Sequence, residues 1–394
     1  MKITVPTIDF GTSKIVTMVA QSNGERCDIV GSGAVPYSGY LQDGWNNPDE
    51  IRDVIRTAID QAQKTGNCRI HELNVGVPGM FTRVIVKEVH VSLTGPDPHV
   101  TAQDVRACFK LAEESGGDRI IHSAPAWFRV DDGKKTLSPV GIKGRELSAM
   151  IALVTADKYF IDDITYRLRD MDIEPREFYS TVAGEATYAL SQDERDKTAM
   201  LIDIGYLCTD VMVMEGDALI FHKCLDIGGG HISADIAEQL NIPFPFVEEK
   251  IKQTYSFNST NQDETYVIPA TEDEPARTVR RDEVTPIIEA KVEEIAEAIN
   301  KALEEGGVKL GKWSNVYLTG GGLILNKGGK DFLAGKLHRI IREAQRTNNK
   351  MTSHVFSSAV GLTILVVTTQ EEQKEPEGGA KGLFSRAFRW LMGY

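Results

Sequence analysis

Two short stretches carry the residue types that hold a phosphate and a metal ion: Ile8-Asp9-Phe10-Gly11-Thr12-Ser13-Lys14, and Ile202-Asp203-Ile204-Gly205-Tyr206-Leu207-Cys208-Thr209-Asp210. Glycine lets backbone N–H groups close on phosphate oxygens, Thr12, Ser13 and Lys14 add donors, and an aspartate reaches a hydrated Mg²⁺. Each stretch ends one apolar run and precedes another, Ile15 to Val19 in the first case and Val211 to Met214 in the second. That pattern predicts a β-hairpin whose turn carries the carboxylate and the glycine. Two such hairpins, one per half of the chain, predict a duplicated domain with a nucleotide between the halves. Further glycine clusters stand at Gly228-Gly229-Gly230, ahead of an expected helix, and at Gly320-Gly321-Gly322, after an expected strand. A glycine loop before a helix is either a tight turn or an anion site, and the residues leave both open.

These turns need a scaffold, and 394 residues suffice for two domains or more. A net charge of −13 with no basic stripe argues against a nucleic-acid partner. The five cysteines (Cys27, Cys68, Cys108, Cys208, Cys224) lack CxxC or Cys/His spacing, so reduced thiols of a cytosolic protein are expected and a metal site is not. The chain opens directly into a strand, and its longest apolar run is too short to span a bilayer.

Helical spacing predicts helices over 49–64, 156–171, 246–255 and 282–305, with others starting near Val182 and Asp331. Residues 84–154 differ in texture, with short strands at 84–86, 120–122 and 127–130 and a helix capped by Thr101, and read as an inserted subdomain. His90, His99 and His122 share no metal spacing there. The polar segment 256–278 reads as the most mobile loop. Residues 368–381 (TTQEEQKEPEGGAK) read as a flexible linker. Beyond it, Leu383, Phe384, Ala387, Phe388 and Leu391 share one helical face, Arg386 and Arg389 lie opposite, and Trp390 sits at the boundary. A short basic amphipathic helix past a linker fits an interfacial membrane anchor, or a terminal helix docking on its own protein or a partner.

Together these residues resemble the actin-like bacterial cell-division family FtsA. Ile8 to Lys14 is similar to its first phosphate motif, Gly229 to Ile236 to its glycine loop and helix, and Leu318 to Gly322 to its adenosine motif. Ser357 to Leu362 is similar to its C-terminal helix. Ser138-Pro139-Val140-Gly141 and Gly144-Arg145-Glu146-Leu147 resemble motifs of its inserted subdomain, and Gly382 to Leu391 its membrane-targeting helix. The resemblance implies an α/β, actin/chaperone-ATPase-like two-domain fold with an FtsA-type inserted subdomain and a C-terminal amphipathic helix. The boundaries expected are 1–83 and 155–197 for the first half, 84–154 for the insert, 198–240 and 306–367 for the second half, and 241–305 for its outer subdomain.

The resemblance further implies ATP or ADP with Mg²⁺ in the cleft. Gly11, Thr12, Ser13, Lys14, Gly205, Gly229, Gly230, Gly320, Gly321 and Gly322 would line it, and Glu249 and Lys252 would face the ribose. Asp9 and Asp203 would reach the metal through water, and Glu185 would stand in the water-orienting region. Polymerisation, other division partners, binding of the FtsZ C-terminal peptide (Arg281 and Lys291 as candidates) and attachment to anionic lipid at the septal Z-ring are also implied. The attachment would use Leu383, Phe384, Arg386, Phe388, Arg389, Trp390 and Leu391.

One departure stands out. The family's second phosphate motif continues with glycines where this chain has Tyr206-Leu207-Cys208. Either the loop is remodelled and still holds ATP, or terminal-phosphate contacts are lost and turnover is slow or absent. Nucleotide binding with little turnover is the expectation. Competing readings are the related pilus adaptor PilM, which lacks such a tail, and an ATP-dependent sugar kinase, for which no substrate base is evident.

Overall fold

The computed structural model describes residues 3–24, 26–41, 44–117, 119–261, 263–270, 275–311, 314–344 and 353–372. The chain divides into two compact units, residues 1–200, 212–222 and 345–394, and residues 201–211 and 223–344.

The first unit begins with strands β1 (Ile3–Phe10), β2 (Lys14–Ser22), β3 (Cys27–Pro36), β4 (Tyr40–Leu41) and β5 (Gly44–Trp45), then helix α1 (Ile51–Gly66) and strand β6 (Glu72–Val77). β1 and β2 pair antiparallel from Ile3 opposite Ser22 to Phe10 opposite Ile15, which leaves Gly11–Ser13 as the turn. Alternation along these strands sends Ile8, Phe10, Ile15 and Val19 to a core shared with Ile51, Ile55 and Ile59 of α1.

An inserted block follows: β7 (Thr82–Ser92), α2 (Ala102–Glu114), β8 (Ile120–Val130) and β9 (Glu146–Ala156), with the sheet ordered β7-β9-β8. Thr101 caps α2 by accepting from the Asp104 N–H while the Asp104 carboxylate bonds back. Val105, Cys108 and Ala112 of α2 pack on Leu147, Ala149, Ile151 and Leu153 of β9. β8 is one edge strand where two short ones were expected. Register shifts at Ile120/His122 and Pro125/Trp127 absorb the proline, so pairing continues past it.

Helix α3 (Lys158–Arg169), strand β10 (Glu174–Ser180), helix α4 (Thr181–Ala189) and a turn of helix α5 (Gln192–Arg195) complete this stretch. The first sheet is ordered β10-β6-β1-β2-β3.

The second sheet, ordered β13-β12-β11-β16-β17, comprises β11 (Ala199–Ile204), β12 (Thr209–Glu215), β13 (Ala218–Leu225), β16 (Asn315–Thr319) and β17 (Ile341–Glu343). Its helices are α6 (Gly229–Leu240), the single turn α7 (Phe244–Phe246), α8 (Arg281–Glu305) and α9 (Gly329–Leu337). Asp235 of α6 and Lys291 of α8 pair at 2.9 Å, and Glu293 of α8 pairs with Lys336 of α9 at 2.8 Å.

One expectation is refined and one fails here. The helix expected over 246–255 is α7 followed by a π-helical turn, Val247–Lys252. The loop expected over 256–278 contains a hairpin, β14 (Thr265–Ile268) with β15 (Arg277–Arg280). Tyr266, Ile268 and Val279 bury one face of that hairpin, so alternation outweighs the polar composition around it.

The last described helix, α10 (Ser357–Glu372), returns to the first unit. Its Leu362, Leu365 and Val366 pack with Ile3, Val5 and Ala20, and its Ala359, Val360 and Ile364 with Val16 and Met18. The expected placement of 306–367 in the second half is therefore corrected for this helix, which covers the face of the first sheet opposite α1. The linker boundary also moves, because Thr368–Glu372 is helical and Gln370 is buried. The remaining linker and the amphipathic segment 382–394 lie outside the described residues.

Candidate functional site

In the first unit the Asp9 turn is held from below. The Gly11 N–H donates to the Lys14 carbonyl at 3.0 Å, and the Tyr37 hydroxyl donates to the Gly11 carbonyl at 2.7 Å. The Tyr40 hydroxyl donates to the Phe10 carbonyl at 3.0 Å. Both tyrosines follow β3, so they clamp the outer side of the turn.

Asp9 is buried, and its Oδ1 accepts from the Ser358 hydroxyl of α10 at 3.1 Å. Burial pushes its carboxyl up to about 6, against the opposing Ser358 bond, Lys14 charge and Phe10 N–H. A buried carboxylate whose charged form is this poorly compensated suits a divalent cation, so the residues present fit Mg²⁺. Lys14 Nζ rests 5.2 Å from the centre of the Phe356 ring, Thr12 is buried and Ser13 half-buried.

Glu185 of α4 is 2% exposed where α4 crosses α10. The two helices meet backbone to backbone: a Cβ on Gly361 would lie 2.5 Å from the Glu185 Cα. Helix α10 thus positions both Ser358 against Asp9 and the backbone of Glu185. Sequence reading gave Ser358 no role; its place at the start of the C-terminal helix was the available signal.

In the second unit the glycines build the turn more than they face outward. Gly229 donates to the Gly205 carbonyl at 2.9 Å, Gly230 to the Tyr206 carbonyl at 2.7 Å, and Gly322 to the Ile204 carbonyl at 2.7 Å. These three amides are engaged by the Asp203 turn itself. Gly320 sits at φ +86°, and a Cβ there would lie 2.0 Å from Asp203 Oδ1. Asp203, Gly205 and Gly321 are each half-buried.

Tyr206 fills space beside Gly230, where a Cβ would meet its ring at 3.0 Å. Lys252 Nζ lies 5.6 Å from the ring centre and 3.4 Å from Glu248 Oε1. Lys252 is buried, which lowers its pKa, and burial with the Glu248 charge pushes the Tyr206 hydroxyl up to about 12. Asn326 fixes this corner by donating to the carbonyls of Lys252 at 2.6 Å and Tyr255 at 3.0 Å. Glu249 is exposed, so Glu248, which sequence reading missed, partners Lys252. The i,i+4 spacing of Glu248 and Lys252 was the signal.

The two peptide-site candidates face inward. Arg281 is 5% exposed, donates to Glu264 at 3.0 Å and to the Ser256 carbonyl at 2.5 Å, and covers the Tyr255 ring. Lys291 bridges Asp235 and Glu294. Each is already paired within its own unit, which argues against their candidacy for a partner peptide. The membrane residues Leu383 to Leu391 lie outside the described residues, and no described helix is long and apolar enough to cross a membrane.

Residues 200–361 match the family model "Cell division protein FtsA", and residues 79–155 match "SHS2 domain inserted in FTSA". The cell division protein FtsA of Pseudomonas aeruginosa is 24% identical over 376 residues, covering 93% of this chain and 89% of that protein. Among solved structures, the PilM–PilN type IV pilus biogenesis complex matches with a TM-score of 0.60 at 17% identity, covering 93% of this chain and 99% of that chain. MreB5 of Spiroplasma citri bound to ADP matches with a TM-score of 0.54 at 11% identity, covering 95% and 99%. The fold is thus the mixed α/β actin-like one, with a domain inserted in its first half.

Proposed function

The chain belongs to the FtsA family of actin-like cell-division proteins, and from that premise we propose that it is a nucleotide-binding scaffold that tethers FtsZ to the membrane. The observation that carries this reading is the inserted domain at 79–155 within an actin-like chain whose second half matches the same family. Subunits polymerise, bind the FtsZ C-terminal peptide and rest on anionic lipid at the septum through residues 382–394.

Within this reading ATP with Mg²⁺ is the ligand, and the ion neutralises phosphate charge when bound. Asp9 of the first unit would hold its water shell, and Asp203 is the corresponding carboxylate of the second unit. Thr12, Ser13 and Lys14 supply phosphate donors, and buried Lys252, oriented by Glu248, serves the nucleoside side. Tyr206 occupies the room that a glycine would leave at the terminal phosphate, so turnover is slow. MreB5 was solved with ADP and with AMPPNP, which supports the nucleotide part of the proposal by fold.

The tail must bind weakly alone. A buried Leu, Phe or Trp contributes about 1.5–3 kcal/mol and each Arg near anionic lipid about 1 kcal/mol, while folding so short a helix consumes much of that. Polymerisation converts many weak feet into firm attachment. The test is co-sedimentation of FtsZ with anionic vesicles. Intact protein is expected to carry FtsZ into the pellet and protein ending at Lys381 to leave it in solution. Equal recruitment by both forms would overturn the tether.

A further inference from the structure

Cys208, Asp210 and Cys224 are far from any metal-binding spacing in the sequence, yet folding gathers them. Cys208 ends the Tyr206 turn, Asp210 lies on β12 and Cys224 on the neighbouring β13. One ligand atom from each residue lies within 4.8 Å of the others. Cys208 is buried, and Asp210 and Cys224 are half-buried.

We propose that these three residues form a binding site for a thiophilic divalent cation of the Zn²⁺ class, with water completing the coordination. Two sulfurs and a carboxylate oxygen are soft enough to select Zn²⁺ over Mg²⁺ or Ca²⁺, which take all-oxygen shells. Tetrahedral Zn–S bonds of about 2.3 Å place two sulfurs roughly 3.8 Å apart, so the two sulfurs need to close by about 1 Å at most and the carboxylate oxygen by slightly more. Side-chain rotation supplies that movement while the backbone stays fixed. The Cys208 carbonyl accepts from the Gly205 N–H at 2.9 Å, and the Thr209 hydroxyl between the ligands donates to the Ile227 carbonyl at 2.7 Å.

Three protein ligands with partial exposure correspond to an open site, in which a fourth position is held by solvent. An ion there pins the Cys208 end of the Tyr206 turn to β13. The inferred site would therefore stiffen the turn whose sequence departs from the family's glycines. It shares no side chain with the proposed Mg²⁺ ligands Asp9 and Asp203.

Full-length protein, reduced and stripped of metal with a chelator, is titrated with Co²⁺ as a spectroscopic substitute for Zn²⁺. The expected result is a thiolate-to-cobalt charge-transfer band that saturates at one ion per chain and disappears when Zn²⁺ is added. The Cys208→Ser/Cys224→Ser protein, which keeps Cys27, Cys68 and Cys108, is expected to show no band. Cys224→Ala, at a half-buried position, provides a second variant whose folding is checked by circular dichroism. Zn²⁺ should raise the melting temperature of the unmodified protein only. No band in the unmodified protein, or an equal band in the folded variants, would overturn the site. So would reduced protein that forms a Cys208–Cys224 disulfide on oxidation but binds no ion.

Discussion

Gly320 holds its backbone at φ +86° directly behind the Asp203 carboxylate, where a Cβ would stand 2.0 Å from Oδ1 and 2.4 Å from the Ile204 carbonyl. Gly320→Ala is expected to destabilise the protein by about 2 kcal/mol or more and to abolish nucleotide binding, read by melting temperature and calorimetry. Gly335 of α9 is the control: nothing lies within 4 Å of an added Cβ, so Gly335→Ala is expected to stabilise by roughly 0.5–1 kcal/mol. His122 of β8, half-buried, contributes a pH dependence. Burial pushes its imidazole from the ordinary 6.5 down to about 4, so the folded state favours the neutral ring. Its contribution is therefore complete above pH 6.5 and is lost as the pH falls toward 4, by up to about 3 kcal/mol. Melting temperatures at pH 7 and pH 4.5 should diverge less in His122→Gln than in the unmodified protein. Equal slopes would assign the acid sensitivity elsewhere.

Helix α10 is the element on which the Asp9 turn depends, since it carries Ser358 to Asp9 and meets α4 at Gly361. A Cβ on Gly361 would lie 2.5 Å from the Glu185 Cα and 2.6 Å from its nitrogen, both backbone atoms that cannot turn aside. Gly361→Ala should cost about 1–3 kcal/mol or more by forcing the two helices apart. Ser358→Ala, which removes only the bond to Asp9, should cost less; equal losses in thermal melts would contradict close packing as the cause. This packing was hidden in the sequence, because α10 is apolar on nearly every side and its partner strand stands some 350 positions earlier. The hairpin turns were legible, since Asp-x-Gly between apolar runs is a local signal. The β14–β15 hairpin was masked by acidic and threonine-rich neighbours, although Tyr266, Ile268 and Val279 alternate inward.

At the scale of the molecule, family and fold were legible because ordered motifs survive along the whole chain, including the inserted domain at 79–155. What escaped were contacts made by distant residues. Arg281, a candidate for the peptide, is enclosed by Tyr255, Glu264 and Ser256, and Cys208 meets Cys224 only because β12 and β13 are neighbours. The glycine loops read as a tight turn or an anion site, and Gly229, Gly230 and Gly322 each hydrogen-bond to the Asp203 turn, a support the spacing alone does not reveal. The proposed scaffold would couple nucleotide, polymer and lipid. Sedimentation of the full-length protein with anionic vesicles, in ATP, ADP or no nucleotide, tests that coupling most directly. Pelleting is expected to require residues 382–394 and to rise with ATP, even where phosphate release stays slow. Intact protein that remains in the supernatant under every condition would contradict it.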